Sequence, residues 1–303
     1  MLSNKPLFSD IKKSEAIDTN NFLWEGATYR AQLYLWYVRK FPNHPSKLRL
    51  VRYIGSWIFS KGLPIYSPHG AKLLLNVSDP DYIPHYLIHR GAWEPKSLAL
   101  AIKLMSQGGT FLDIGGHFGL YTCAVGVLDG VDCICVEPSP KIFIDLVNNI
   151  RLNSQIKAQL VHIALSSLPS LRTFGITSNM NSGRARIFTD EEEGVDDFLL
   201  SCITLQELLD HLNTRKIELI KIDVEGFEIE ALKTLRWSDS CRPKNIIAEL
   251  EESLLNRTGY SLAEFLEFFD ARGYEALTVE GHPFDIDSLS QLPENNIWFK
   301  SRF

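Results

Sequence analysis

The chain has 303 residues, of which 45% are hydrophobic and 22% are charged. This is the composition of a folded globular protein, and it excludes a disordered, collagen-like or fibrous chain. The net charge of −6 argues against a general nucleic-acid binder, because such proteins are usually basic. The sequence lacks an apolar run near the roughly 18 residues of a membrane-spanning helix. Residues 1–18 lack the apolar core of a secretory signal peptide.

Five cysteines, an odd number, are scattered along the chain. Cys133 and Cys135 alternate on a predicted strand, and no second CxC or CxxC pair follows them. This pattern argues against a zinc site or a disulfide framework. It favours a reducing environment, and we therefore expect the protein in the cytoplasm.

Residues 1–62 form the first predicted region, which is rich in aromatic residues and lacks strand periodicity. Between Arg30 and Lys61 the sequence has seven lysines and arginines, no acidic residue, and interleaved aromatic side chains such as Trp36 and Trp57. We predict an amphipathic helical segment that caps the main domain. The alternative is a surface for a membrane interface, through residues 30–61, for an acidic partner or for a phosphorylated substrate.

Residues 63–94 form the second region and lead into the catalytic domain. Apolar runs at 63–66 and 71–76 flank Ser-Pro-His-Gly, which has the chemistry of a turn, and a β-hairpin is therefore predicted. His85 and His89 lie one helical turn apart, as metal-binding histidines do. Since a third ligand is not visible nearby, we interpret them as packing or surface residues and predict no metal.

Residues 95–303 form the third region, in which predicted strands and helices alternate. The strand candidates are 110–114, 132–136, 159–164, 217–222, 245–250, 274–279 and 296–300. Several are continuous apolar runs, which are typical of parallel strands buried on both faces. The segment between the last two strands lacks a helix long enough for a crossover, and this predicts an antiparallel last strand.

The helix starts between these strands are recognisable. Ser139 precedes a proline, and Thr204 and Ser261 each stand three residues before a glutamate, as in a capping box. Repeated β-α-β units predict a parallel sheet with helices on both faces. The run 190–197 holds six acids in eight residues, and we interpret it as a solvated loop, with the edge of a binding site as the alternative.

The first motif with chemical content is a strand, a glycine-rich turn and a helix start. Its polar and glycine positions are Asp113, Gly115, Gly116, His117 and Gly119. Glycine lets the backbone approach a ligand closely at the carboxyl ends of parallel strands. The dinucleotide fingerprint GxGxxG fails, because His117 stands where its second glycine belongs. The Asp-x-Gly-x-x-x-Gly spacing suits a nucleoside with an amino-acid tail better than a pyrophosphate.

The second motif is Glu137-Pro138 at the end of the second strand, 24 positions after Asp113. A carboxylate in this place can accept hydrogen bonds from both ribose hydroxyls of an adenosine. NAD enzymes place an acid similarly, so Glu137 indicates adenosine without naming the cofactor. The alternative is a solvated strand end.

The third motif places Lys221, Asp223 and Glu225 on one face of a strand predicted to be central. Charges in such a place cost several kcal/mol unless they are paired or functional. We predict that both carboxylates lie at the mouth of the cofactor crevice, where they position an acceptor or take its proton. A purely structural Lys221–Asp223 pair and a carboxylate-bound Mg²⁺ are the alternatives.

These three blocks resemble the FkbM family of S-adenosylmethionine-dependent methyltransferases. That family carries a DxGANxGxY-like first motif, an acid-Pro pair after the second strand, and a KxDxEGxE-like block on the fourth. The element at 91–94, Gly-Ala-Trp-Glu, resembles the family's GxYE-like element. The resemblance covers roughly residues 63–250. Two departures are Gly116-His117 in place of Ala-Asn, and Gln206 in place of an acid.

The resemblance implies a class I methyltransferase fold, which is Rossmann-like, with strand order 3-2-1-4-5-7-6 and strand 7 antiparallel. It also implies O-methylation of a hydroxyl on a sugar, glycan, polyketide or related metabolite by in-line displacement. The cofactor would be S-adenosyl-L-methionine and the acceptor a small molecule or carbohydrate.

The site residues follow from the same resemblance together with the motifs. The methionine end of the cofactor is assigned to Asp113, Gly115, Gly116, His117 and Gly119. Glu137, with Pro138, is assigned to the ribose, and the turn from Ala164 to Ser166 to the adenine. Asp223 is the first candidate for an acceptor base or orienting group, and Glu225 is the second.

Two other functions remain open on the sequence. One is a nicotinamide-dependent oxidoreductase, against which the failed GxGxxG and the antiparallel last strand count. The other is a non-catalytic scaffold that has kept a nucleoside pocket, against which the intact acidic residues of the three motifs count.

Overall fold

The computed structural model describes residues 23–41, 47–77, 82–176, 186–187, 195–238 and 242–303. The start of the N-terminal region, residues 190–194 of the acidic run and Cys241 lie outside these ranges. The helices are α1 (Tyr29–Lys40), α2 (Lys47–Ile58), α3 (Tyr82–Arg90), α4 (Pro95–Leu104), α5 (Leu120–Gly126), α6 (Pro140–Arg151), α7 (Leu205–His211), α8 (Glu228–Leu232), α9 (Glu252–Arg257) and α10 (Leu262–Asp270), with a 3₁₀-helix at Ile286–Gln291. The strands are β1 (Glu25–Gly26), β2 (Leu63–Tyr66), β3 (Lys72–Leu75), β4 (Gly109–Ile114), β5 (Val131–Val136), β6 (Lys157–Val161), β7 (Ala164–Leu165), β8 (Ser170–Ile176), β9 (Arg186–Ile187), β10 (Val195–Ile203), β11 (Leu219–Ile222), β12 (Asn245–Glu249), β13 (Tyr274–Thr278) and β14 (Asn296–Ser301).

Seven strands form the central sheet in the order β13-β14-β12-β11-β4-β5-β6. Neighbouring strands from β12 to β6 are parallel, and β14 is antiparallel to both of its neighbours. When these strands are numbered 1 to 7 along the chain, the order from the other edge is 3-2-1-4-5-7-6. The predicted sheet and its antiparallel last strand are therefore confirmed.

A second sheet, β7-β10-β8-β9, is a feature that the sequence patterns did not predict. The predicted strand 159–164 is wrong in its extent, because the chain leaves the central sheet after Val161 and Ala164 pairs with Cys202 of β10. The interpretation of 190–197 as a loop is also wrong at its end. Residues 195–197 begin β10, where Val195 pairs with Ile176 of β8 across a register shift.

Helices cover both faces of the central sheet, because successive strand residues point to opposite sides. One face buries Phe111 and Leu219 together with residues of α1, α2, α3, α4 and α5. The other face buries Leu112 and Ile220 with residues of α7, α8 and α10. The N-terminal helices thus share a hydrophobic core with the sheet.

The predicted helix starts differ in how they are capped. Thr204 and Ser261 each form a complete capping box with the glutamate three residues later. Ser139 occupies the N-cap position of α6, but its side chain makes no capping hydrogen bond. The helix α6 begins there because Pro140 stands in its first turn.

The N-terminal helices are tied to the rest of the molecule by a small sheet and by one arginine. The predicted hairpin is present, with β2 antiparallel to β3, and β1 extends it on the other side of β2. The Arg39 guanidinium donates hydrogen bonds to the carbonyl oxygens of Trp24, Leu87 and Ile88 at 3.0, 2.9 and 3.0 Å. Since this one side chain joins three backbone segments, α1 and α3 are held together.

Two buried asparagines, one in α6 and one just after its end, hold the hairpin against the domain. The Asn149 amide accepts a hydrogen bond from the Leu74 amide nitrogen at 2.7 Å and donates to the Phe118 carbonyl at 2.9 Å. The Asn153 amide accepts from the Lys72 amide nitrogen and donates to the Lys72 carbonyl, both at 2.8 Å. Backbone groups at the edge of the hairpin are therefore hydrogen-bonded to side-chain amides, in the place where a further strand would pair.

Asn149→Ala is expected to lower the free energy of unfolding by about 1–3 kcal/mol, because it leaves the partly buried amide of Leu74 without its acceptor. Urea unfolding followed by circular dichroism measures this change. Ser154→Ala, at an exposed position just after the helix, is the control and should change the stability by less than about 0.5 kcal/mol. Equal stability of Asn149→Ala and the control would show that the hairpin is held by other contacts.

Candidate active site

The carboxyl ends of the central strands meet a cavity of about 840 Å³. Four neighbouring strands contribute to its wall through Ile114, Val136, Asp223 and Glu249. The chain runs from β4 outward to β6 and then returns to β11 on the other side of β4, so the cavity lies at the point where the strand order reverses. This is where open α/β sheets bind ligands, and the volume is that of a small-molecule site.

The glycine-rich turn after β4 is shaped by close backbone contacts. Gly115 has a φ of +80°, and a Cβ atom placed on it would lie 1.9 Å from the carbonyl oxygen of Asp223. Glycine is therefore required for the turns after β4 and β11 to touch. His117 has a φ of +51°, in the left-handed region that asparagine also tolerates. This explains how histidine takes the place of the family's usual asparagine.

Glu137 follows β5 and faces the same turn. Its carboxylate accepts hydrogen bonds from the amide nitrogens of His117 at 2.9 Å and Ser139 at 2.7 Å. The residue is 5% exposed and lines the cavity, and burial raises its pKa to about 7. Each carboxylate oxygen keeps a further lone pair for a ligand. Glu137 is therefore held in place and can still accept hydrogen bonds from a ligand.

Lys221 is a buried cation in the middle of the site. Its side chain is 2% exposed, its Nζ lies 3.4 Å from Oδ2 of Asp223, and it stands over the Tyr121 ring at 5.4 Å. Burial would lower the pKa of Lys221, but the charges of Asp223 and Glu94 hold it above its ordinary value. The lysine therefore stays charged and fixes the negative groups around it.

Asp223 and Glu249 form a carboxyl pair beside this lysine, with the Asp223 side chain 33% exposed. Burial would raise the pKa of Asp223, but the Lys221 charge and a hydrogen bond with Glu249 hold it below its ordinary value. Burial and the charge of Asp223 raise the pKa of Glu249 well above its ordinary value. Within this pair a proton therefore favours Glu249, and the negative charge favours Asp223.

Three further glutamates lie in or beside the turns around this pair. Glu94 precedes α4 with a φ of +44°, and its carboxylate accepts a hydrogen bond from the Tyr121 hydroxyl at 2.7 Å. Glu225 has a φ of +54° in the turn after β11. The buried Glu228 carboxylate accepts from the amide nitrogens of Val224 and Gly226, both at 3.2 Å, and so fixes that turn.

The opposite wall of the cavity is apolar and comes partly from the second sheet. Its residues are Ile142, Ile163, Ala164, Leu165, Phe174 and Ile187. Apolar side chains of this kind suit a flat, apolar group of a ligand.

The structure brings together seven of the predicted site residues. Gly115, His117, Glu137, Pro138, Ala164, Asp223 and Glu225 line the cavity. The predicted residues outside the lining are Asp113, Gly116, Gly119 and Ser166. Asp113 is 2% exposed and accepts a hydrogen bond from the Thr122 hydroxyl at 2.5 Å, and burial raises its pKa to about 6. Gly116 packs on the Cys135 sulfur, where a Cβ would lie 2.1 Å away.

Sequence reasoning missed the part of the site that depends on tertiary contacts. Glu249 ends a parallel strand, which is the one signal that pointed to it. Phe174 and Ile187 belong to the second sheet. Among the residues that the structure describes, there is no group of three or more His, Cys, Asp or Glu side chains arranged for a metal ion. His85 and His89 stack with ring centroids 6.2 Å apart.

Several solved structures are similar to this chain at low sequence identity. A TehB-like SAM-dependent methyltransferase from Corynebacterium glutamicum is 13% identical over 72% of this chain and 94% of its own, with a TM-score of 0.38. A human methyltransferase 10 domain containing protein is 12% identical over 86% and 99%, with a TM-score of 0.43. A SAM-dependent methyltransferase from Agrobacterium tumefaciens is 9% identical over 79% and 69%, with a TM-score of 0.43.

The family comparison covers the three motifs and the strands from the end of β4 into β13. A search of curated proteins finds no match. The family model described as "Methyltransferase FkbM domain" matches residues 113–276. This range begins at the aspartate of the glycine-rich motif, includes Glu137 and the Lys221 block, and ends in β13. Because it spans more than half of the 303 residues, the chain belongs to the FkbM methyltransferase domain family.

Proposed function

We propose that this S-adenosylmethionine-dependent methyltransferase methylates a hydroxyl group of a sugar, glycan, polyketide or related metabolite. The observation that carries the proposal is the ionised Asp223, one third exposed in the cavity that Glu137 also lines. A carboxylate in this position can accept the proton of a hydroxyl acceptor, and Lys221 and Glu249 hold it in place.

The residues around the cavity fit the cofactor. When bound, S-adenosylmethionine supplies an activated methyl group for in-line displacement. Glu137 would accept the ribose hydroxyls, Gly115 and His117 would hold the methionine end, and Ala164 would lie beside the adenine. The apolar wall gives the base a dry surface, and the carboxylates on the other side suit the positive charges of the cofactor.

The contribution of the chain to methyl transfer is then mainly position and proton removal. Asp223 orients the acceptor hydroxyl and takes its proton, which is worth roughly 10²–10⁴-fold in rate. Asp223 is favoured over Glu249 as the group that carries the negative charge, because the charge of Asp223 and burial raise the pKa of Glu249. Lys221 stays protonated, and its ion pair with Asp223 restrains the orientation of that carboxylate. Holding the acceptor close to the methyl group supplies the remaining advantage.

The acceptor side of the cavity has aromatic and polar walls. The rings of Tyr86 and Trp93 meet edge to face with centroids 5.3 Å apart, and both residues line the cavity. The Glu294 carboxylate accepts hydrogen bonds from the amide nitrogens of Lys96 and Ser97, both at 2.8 Å. Aromatic rings bind apolar faces and carboxylates accept hydroxyl hydrogens, which favours a polyhydroxylated acceptor.

Calorimetric titration and a methyl-release assay test the proposal. We expect S-adenosylmethionine to bind and NAD⁺ not to bind. The assay uses a panel of sugars, glycans and polyketides with free hydroxyls, paired with their O-methylated forms as negative controls. Transfer to amines in preference to hydroxyls would contradict the proposal. Cofactor binding without transfer to any hydroxyl compound would support the scaffold alternative.

We also propose that the protein acts in the cytoplasm. Among the described residues no helix is long and apolar enough to cross a membrane. Cys123, Cys133, Cys135 and Cys202 are free and buried. Free thiols are typical of a reducing compartment, and this supports the cytoplasm as the site of action.

A further inference from the structure

The helices α1 and α2 expose large apolar side chains on the side that faces away from the core. On α1 these are Tyr29, Leu33 and Trp36, which are 79%, 54% and 56% exposed. On α2, Tyr53 and Trp57 are 76% and 79% exposed. A lysine follows each tryptophan by four residues: Lys40 ends α1, and Lys61 lies in the turn after α2. We call the exposed side chains between Tyr29 and Lys40, and between Tyr53 and Lys61, the aromatic–basic face.

The aromatic–basic face is not needed for the packing of the two helices. The buried residues of α1 are Ala31, Tyr34, Leu35 and Val38. With 3.6 residues per turn, they lie on the side of the helix opposite to Trp36. The Tyr34 hydroxyl donates to the Val51 carbonyl at 3.1 Å, and its ring contacts Phe59. The helices therefore pack on each other and on the core through one side and leave the other unused.

The charge of this region is opposite to that of the whole chain. Residues 30–61 contain seven lysines and arginines and no acid, in a chain with a net charge of −6. Arg39 and Lys47 are used internally, since they donate hydrogen bonds to backbone carbonyls. Arg30, Lys40 and Lys61 are exposed. Basic side chains thus surround the exposed aromatic rings.

We propose that the aromatic–basic face binds peripherally to the surface of an anionic lipid bilayer. Tryptophan and tyrosine prefer the boundary between headgroups and acyl chains. Basic side chains are attracted to anionic headgroups, and apolar side chains enter the boundary. Leu33 and Ile58, which are 54% and 39% exposed, favour a lipid surface over nucleic acid, where bases stack on aromatic rings and aliphatic groups add little.

The proposed contact uses none of the residues that line the cavity. Arg39 joins α1 to the carbonyls of Leu87 and Ile88 in α3. Other residues of α3, Tyr86 and Arg90, line the cavity. The helix α3 therefore links α1 to the cavity wall, and the membrane proposal can be tested separately from the methyl-transfer chemistry.

The test is co-sedimentation of the full chain with vesicles of phosphatidylcholine alone and of phosphatidylcholine with phosphatidylglycerol. We expect binding to the anionic vesicles, with weakening as salt increases. The double variants Trp36→Ala with Trp57→Ala, and Lys40→Glu with Lys61→Glu, should each lose at least about tenfold in affinity. Far-ultraviolet circular dichroism and cofactor titration confirm that each variant is folded.

Matched controls remove large apolar side chains, or reverse lysine charges, elsewhere on the surface. Leu171→Ala with Leu199→Ala removes two side chains that are 65% and 69% exposed on the second sheet. Lys103→Glu with Lys157→Glu makes the same charge change at exposed positions outside the face. Both control proteins should bind the anionic vesicles within a few-fold of the unchanged chain.

Three results would overturn the proposal. The first is that the unchanged protein fails to sediment with anionic vesicles at low salt. The second is that the face variants bind as well as the controls. The third is a dimer in light scattering that the Trp36→Ala, Trp57→Ala variant dissociates, without vesicle binding. That result would make the face a contact between two copies of the chain.

Discussion

Asp223→Asn is expected to lower the methyl-transfer turnover roughly 10²-fold or more and to leave the affinity for S-adenosylmethionine within a few-fold. Asparagine keeps the size and the hydrogen bonding of the side chain but cannot take a proton. Turnover is measured by methyl release with the best acceptor of the panel, and affinity is measured by calorimetry. Glu249→Gln replaces the carboxyl with an amide that can donate a hydrogen bond to Asp223, and it is the milder companion variant.

The structural alternative for Asp223 predicts a different result for the same variant. If Asp223 only neutralises Lys221, its loss leaves a buried cation short of a partner, at a cost of about 3–5 kcal/mol. The melting temperature would then fall while the remaining folded protein turned over normally. That combination would end the catalytic assignment of Asp223, and Glu225 would be the next residue to test.

Glu137→Ala is expected to weaken S-adenosylmethionine binding by at least roughly tenfold. Each charge-assisted hydrogen bond to a hydroxyl contributes about 1.5–3 kcal/mol before desolvation is subtracted. Asp132→Ala removes an exposed acid from β5, the strand that precedes Glu137, and is the control. Unchanged affinity in a folded Glu137→Ala protein would remove Glu137 from the cofactor site.

The affinity of the unchanged protein for S-adenosylmethionine should also depend on pH. Burial raises the pKa of Glu137 to about 7, and the hydroxyls of a ribose favour its ionised form. Affinity should therefore be full above pH 7 and fall as the pH drops below it, because protons then compete with the cofactor. Calorimetry across this range should show the slope in the unchanged protein and a flatter profile in Glu137→Ala.

The sequence predicted the central sheet well because its signals are local. Continuous apolar runs mark the buried parallel strands, and Thr204 and Ser261 mark helix starts that both form capping boxes. The three motifs predicted which strand ends meet, since the carboxyl ends of neighbouring parallel strands share one edge. Gly115 shows this directly, because its missing side chain lets two of these turns touch.

The parts that the sequence did not predict depend on contacts between distant segments. The strands of the second sheet are half exposed, with Leu171 and Leu199 facing solvent, so their pattern resembles that of loops. Burial and the charge of Asp223 raise the pKa of Glu249, and no spacing in the sequence encodes this environment. The position of Glu94 beside Tyr121 depends on a left-handed residue before α4.

The place of β14 in the central sheet has a consequence for synthesis of the protein on the ribosome. β14 is the last strand of the sheet in chain order, yet it lies between β12 and β13. Before residues 296–301 emerge, β12 has an open edge and β13 has no neighbour in the sheet. Until β14 is available, the nascent chain therefore exposes unpaired strand edges, which are prone to aggregation. We expect this interval to be where the newly made chain depends most on chaperones.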